Sequence, residues 1–110
     1  MAVIHIVLFE FNSAASNEDV TAACQRMLAL KDRCKHPRTG QLYVKSYGGG
    51  RDNSPEGLQG GSTHGFVFEF DSEEDRNYYV KEDPAHLEFV ASIKDLVSGA
   101  RVVDFTPGVL

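Results

Sequence analysis

Residues 2–11 read Ala2-Val3-Ile4-His5-Ile6-Val7-Leu8-Phe9-Glu10-Phe11. Side chains alternate across a strand, so Ile4, Ile6 and Leu8 share one face. Val3, His5, Val7, Phe9 and Phe11 share the other. Both faces are mostly apolar, which predicts a central strand covered on both sides. His5 is the one polar residue in the middle of this run. The same pattern returns at Thr63-His64-Gly65-Phe66-Val67-Phe68-Glu69-Phe70. There His64, Phe66, Phe68 and Phe70 share a face, so a single histidine again lies in line with apolar side chains.

Between and after these strands the pattern turns helical. Ser16-Asn17-Glu18-Asp19 offers a capping oxygen and acids for the positive helix end. Val20, Ala23, Cys24, Met27, Leu30 and Cys34 follow at helical spacing, predicting one helix over roughly 17–35. Leu42 to Tyr47 suits an edge strand, and Gly48 to Ser62 reads as a glycine-rich connection or a flap over a cavity. It carries no phosphate-loop spacing. Asp71-Ser72-Glu73-Glu74 opens a short helix bearing Tyr78 and Tyr79. Asp83-Pro84 then opens another, with Asp83 as cap and Pro84 in the first turn. His86, Phe89, Val90, Ile93 and Val97 fall on one face of it, and Gly99 is its expected stop. Arg101 to Thr106 reads as a closing strand.

The chain of 110 residues is expected to form a single domain over 1–110. Eleven Lys plus Arg against sixteen Asp plus Glu leave a net charge of −5, which argues against nucleic acid as a partner. The longest apolar run is far short of the ~20 residues that cross a bilayer, and it lacks the basic start of a signal peptide. Cys24 and Cys34 on one helix would stand ~15 Å apart along its axis, beyond disulfide reach. The expected state is reduced and the expected location cytoplasmic.

The order β-α-β-β-α-β, with the second helical segment broken at Asp83-Pro84, is that of the ferredoxin-like α+β fold. Its first and third strands are neighbours at the centre, which places His5 and His64 on adjacent strands. Helices cover one face of such a sheet. The face with His5, Val7, Phe9, Phe66 and Phe68 is too apolar for water, and a second copy of the chain is its expected cover.

These residues resemble the stress-responsive dimeric α/β-barrel family, Dabb. The likeness rests on the opening strand with His5 and on Gly61-Ser62-Thr63-His64 followed by Phe66 and Phe70. It rests further on Asp83-Pro84-Ala85-His86-Leu87-Glu88-Phe89 and on Val102 to Phe105. The resemblance implies a protomer whose sheet pairs across a homodimer into a barrel. One branch of the family, the olivetolic-acid-cyclase type, closes a linear poly-β-ketone by aldol chemistry without cofactor or metal. By position, His86 matches the base of that branch, and His5 and His64 match its pocket histidines. The branch's tyrosine falls on Tyr79 with a one-residue difference at the helix break, and on Val80 without one. The branch begins its Pro-Ala-His element with a histidine, where this chain has Asp83.

A histidine in the first turn of a helix is disfavoured as imidazolium, and a neutral imidazole is what a general base requires. The expected site therefore has His86 as base, Tyr79 as hydroxyl donor, and His5, His64, Val7, Phe66 and Phe89 around a small-molecule substrate. No short His spacing suggests a metal. The competing reading makes the histidines satisfied core residues of a non-enzymatic stress-response or stability protein. A cofactor-independent monooxygenase of related barrel type shares the architecture. Whether the imidazoles meet at one solvent-reached cavity separates these readings.

Overall fold

The computed structural model describes all residues, Met1–Leu110. Its elements run β1 (Val3–Phe11), α1 (Asn17–Arg33), β2 (Lys45–Arg51), β3 (His64–Phe70), α2 (Glu73–Lys81), α3 (Pro84–Ile93) and β4 (Val97–Phe105). The four strands form one sheet in the order β2-β3-β1-β4. All neighbouring pairs are antiparallel. This is the ferredoxin-like α+β fold, with the two strongly apolar strands at its centre. His5 pairs with Phe68, Val7 with Phe66 and Phe9 with His64 across β1 and β3.

Local chemistry sets each helix start. Ser16 accepts from the Asp19 N–H and Ser72 from the Asp75 N–H, each satisfying an orphan donor of a first turn. Asp83 accepts from the Ala85 N–H, and Pro84 gives up no bond in the first turn. Met27 and Leu30 of α1, Tyr79 of α2, and Phe89 and Ile93 of α3 pack into one core with the inward residues of β1 and β3.

Three expectations change here. The face carrying His5, Val7, Phe9, Phe66 and Phe68 is the helix-covered one, and its own chain buries all five. The open face is the other parity. It shows Ile4, Ile6, Leu8 and Val67 half-buried, and Val103 and Phe105 at 61% and 45% exposure. Alternation separates the two sets but does not say which set meets the helices, since both are apolar.

The second difference is the edge strand, which is Lys45–Arg51 rather than Leu42 to Tyr47. Gly48, Gly49 and Gly50 belong to this strand instead of the loop, Gly49 pairing with Phe66 and Gly50 with Gly65. The register shifts between Ser46 and Gly49, and a β-carbon at Gly49 would overlap the Phe66 ring and the Gly65 carbonyl. The glycine run lets the edge backbone close over Phe66. Third, α3 stops at Ile93, and Val97 to Gly99 already belong to β4, which pairs Phe11 with Val97 and Glu10 with Gly99.

No helix packs closely on β4. Val102 pairs with Val7 on the helix side of the sheet, yet it is 54% exposed. The gap between β4 and helices α2 and α3 is the site described next.

Candidate functional site

The gap is an open cleft of about 600 Å³. Val7, Phe9, Phe89, Val90, Ile93 and Val97 give it an apolar body. His5, Tyr79, His86, Asp104 and Arg76 are among its polar groups. A mostly apolar cavity with a few converging polar groups is the usual form of a small-molecule site.

Each polar group has a distinct origin. His5 stands on central strand β1, 4% exposed, with its ring edge-on to Phe70 and Tyr79. Its Nδ1 donates to Asp104 Oδ1 at 2.6 Å. The other oxygen of Asp104 accepts from Arg76 Nη1 at 2.8 Å. Tyr79 is fully buried and crosses from α2 to the cleft. His86 occupies the first turn of α3, and its ring lies over the Tyr79 ring with centroids 4.0 Å apart and planes 31° from parallel. The Tyr79 hydroxyl and His86 Nδ1 are both buried, and neither has a hydrogen-bond partner within the protein.

Electrostatics follow from this placement. Burial lowers the His86 pKa below its ordinary 6.5, and the neighbouring His5 lowers it further. The Tyr79 backbone and the Asp83 charge pull weakly the other way. Burial raises the Tyr79 pKa, with Cys34 and Asp83 adding to the effect. At neutral pH the pair is a neutral imidazole beside a protonated phenol. That combination takes a proton at one atom and donates a hydrogen bond at another.

Beneath the pair lies a polar cluster that periodicity does not reveal. Asp83 is buried at 2% exposure. It accepts from the Tyr43 hydroxyl at 2.5 Å and from the Ala85 N–H at 2.9 Å. Tyr43 reaches it across forty residues of sequence, so only the fold could disclose the contact. Burial and the Asp83 carboxylate push the Cys34 thiol up to about 12. Cys34 and Cys24 are both free.

The structure brings His5, His86, Tyr79, Val7 and Phe89 to one cleft. Val80 also lines it, but of these two neighbours Tyr79 is the one with a hydroxyl. His64 and Phe66, expected at the same site, are not among its lining residues. Phe66 is packed in the core, in contact with Phe9. His64 lies at the far end of β3, pairs with Arg51 of β2 and borders two polar hollows. The antiparallel register explains this: His64 stands opposite Phe9, four residues along β1 from His5. Sequence reading also missed Asp104 and Arg76. The pairing of His5 with Asp104 in the register was the signal available, once the edge position of β4 was known.

No group of three or more His, Cys, Asp or Glu side chains is placed to hold a metal ion. No helix is long and apolar enough to cross a membrane.

With this fold and cleft, the class is a ferredoxin-like α+β protein. The chain belongs to the stress-responsive A/B barrel domain family, Dabb, whose model matches residues 3–107. Its sequence matches no curated protein. Among solved structures, it is similar to a protein of Arabidopsis thaliana at 27% identity and TM-score 0.78, over 98% of this chain and 97% of that one. It is similar in fold to the hydroxynitrile lyase from Passiflora edulis, at 22% identity and TM-score 0.80, over 94% of this chain and 91% of that one. A dimeric ferredoxin-like protein from Thermobifida fusca is 23% identical with TM-score 0.74, over 96% and 90% of the two chains.

Proposed function

We propose that the cleft binds a small, largely apolar molecule with an enolisable carbonyl end and catalyses cofactor-free aldol-type carbon–carbon chemistry on it. The substrate class is a linear poly-β-ketone, and the reaction is a cyclisation or its lyase counterpart. His86 removes the proton from a carbon between two carbonyls, and the Tyr79 hydroxyl donates to the developing enolate or alkoxide oxygen. His5 lines the same cleft, its Nδ1 held by Asp104, while Val7 and Phe89 contact the apolar part. The single observation that carries this reading is the pair of orphaned polar atoms, Tyr79 Oη and His86 Nδ1. A buried polar atom without a partner costs about 1–3 kcal/mol. Two such atoms on stacked rings beside one cleft are what a site has when a ligand is their partner.

The assembly belongs to the same proposal. Ile4, Ile6, Leu8, Val67, Val103 and Phe105 make the open sheet face apolar, and a second copy of the chain covers it in a homodimer. Similar structures from Thermobifida fusca and Bacteroides fragilis are described as dimeric. Two free thiols fit a reducing compartment, the cytoplasm.

The experiment is turnover of a linear poly-β-ketone, followed by the absorbance of the ring product, with His86→Ala and Tyr79→Phe as controls. Ring closure above buffer that both variants lose supports the proposal. Binding of the ketone without closure reduces the site to a carrier, and neither binding nor closure removes the proposal altogether.

A further inference from the structure

We infer that Arg76 is a positioning residue of the cleft, acting through Asp104 to fix which nitrogen of His5 carries the proton. The inference rests on the cleft being the functional site, but its test requires no ligand.

Three elements meet at this point: His5 from β1, Asp104 from β4 and Arg76 from α2. β4 is an edge strand on which no helix packs closely. A carboxylate there has free rotamers and water within reach, so the strand alone does not aim it. Arg76 supplies the aim. Its Nη1 donates to Asp104 Oδ2 at 2.8 Å, leaving Oδ1 to accept from His5 Nδ1 at 2.6 Å. Both oxygens of Asp104 are thus engaged, each by a different element.

The guanidinium is itself held. Its Nε donates to Asn77 Oδ1 at 2.9 Å, and its Nη2 lies 3.9 Å from Glu73 Oε1. A planar fork with several fixed donors suits this task, and a lysine ammonium does not reproduce it. With Nδ1 donating to Asp104, the neutral ring of His5 has its lone pair on Nε2.

A second observation agrees. Arg76 and Asp104 border both the main cleft and a smaller hollow of about 300 Å³ that includes Val3, Phe105 and Val109. The ion pair stands between the two spaces. Its loss frees Asp104 to turn away from His5. The charged and titratable groups around His5 are Asp104, Arg76, His86 and Tyr79, and the hydrogen-bond path from Arg76 to the imidazole runs through Asp104.

The test is the side-chain ¹⁵N spectrum of His5 in the full chain labelled at histidine, taken where further base no longer moves the signals. The wild type should show one tautomer, protonated at Nδ1. In Arg76→Met the two nitrogen signals should move toward each other, as in a tautomer mixture, and Arg76→Lys should fall between. Asp104→Ala, which removes the acceptor itself, should shift the signals at least as far as Arg76→Met. Should Arg76→Met fail to fold, Arg76→Gln is read by the same criterion. Wild-type His5 signals in Arg76→Met would overturn the role of Arg76, as would wild-type signals in Asp104→Ala. Neither outcome depends on ketone turnover, so this inference and the proposed function fail separately.

Discussion

The Tyr79 and His86 rings stack at 4.0 Å across the break between α2 and α3. Seven positions of sequence separate them, and that spacing spans a complete helix end and a new helix start. Glu82 and Asp83 donate their N–H groups to the Tyr78 carbonyl, which closes α2 one residue after Lys81. Asp83 then caps α3 and Pro84 starts it. The tight turn swings the first turn of α3 back over the last turn of α2. A phenol and an imidazole on two different helices thereby become one unit facing the cleft.

Replacing His86 with Ala should leave stability within about 1 kcal/mol of wild type. The lost stacking, worth about 0.5–1.5 kcal/mol, is offset by removal of an unsatisfied buried nitrogen. Turnover of the ketone should fall by about 10²–10⁴, the usual contribution of a general base. Urea unfolding beside the absorbance assay measures both. Large destabilisation with turnover intact would make His86 structural.

Replacing Asp83 with Ala should cost about 2–4 kcal/mol. The helix cap accounts for about 1 kcal/mol, and the orphaned Tyr43 hydroxyl adds about 1–3 kcal/mol. A measured loss near the cap value alone would mean that the bond from Tyr43 contributes nothing.

Acid should weaken the fold through histidine. His86 is held below the ordinary 6.5 by burial and then by His5, and His64 by burial and then by Arg51. Groups lowered in this way bind protons more readily in the unfolded chain. Stability should therefore be unaffected by these groups above about pH 7.5 and should decline as pH falls through 6.5 toward the folded pKa values. His86→Ala should show a shallower decline than wild type between about pH 7 and about pH 5.5 in urea titrations. Identical slopes would place His86 at its ordinary pKa.

Central strands, helix caps and the break at Asp83-Pro84 were legible in the sequence because each has a local cause: alternation, a capping oxygen, a proline. The meeting of His5 with His86 followed from topology. His64 did not, because equal parity places a residue on a face and not at a height along it. The open face was misassigned for a related reason, since Ile4-Ile6-Leu8 and Val3-His5-Val7 are both apolar enough to be inside. Asp83 with Tyr43, and Asp104 with Arg76, join residues far apart in sequence, and no local pattern announces them.

The open face makes its own prediction. Light scattering at micromolar concentration should give about twice 12.1 kDa. Val103→Asp, on the open face, should yield a folded monomer or a much weaker dimer. A wild-type monomer of normal stability would rule out the dimer.

If the Tyr79 hydroxyl serves a ligand and not the fold, Tyr79→Phe separates the two roles. The variant loses one oxygen that is buried and has no hydrogen-bond partner within the protein. Its unfolding free energy should equal or exceed that of wild type by up to about 1 kcal/mol, because an orphan polar atom is gone. In the same preparation, ketone turnover should drop by about 10²-fold or more, as expected for a lost oxyanion donor. A variant that is destabilised by more than about 1 kcal/mol while turning over the ketone at the wild-type rate would show that the hydroxyl serves the fold and not a ligand.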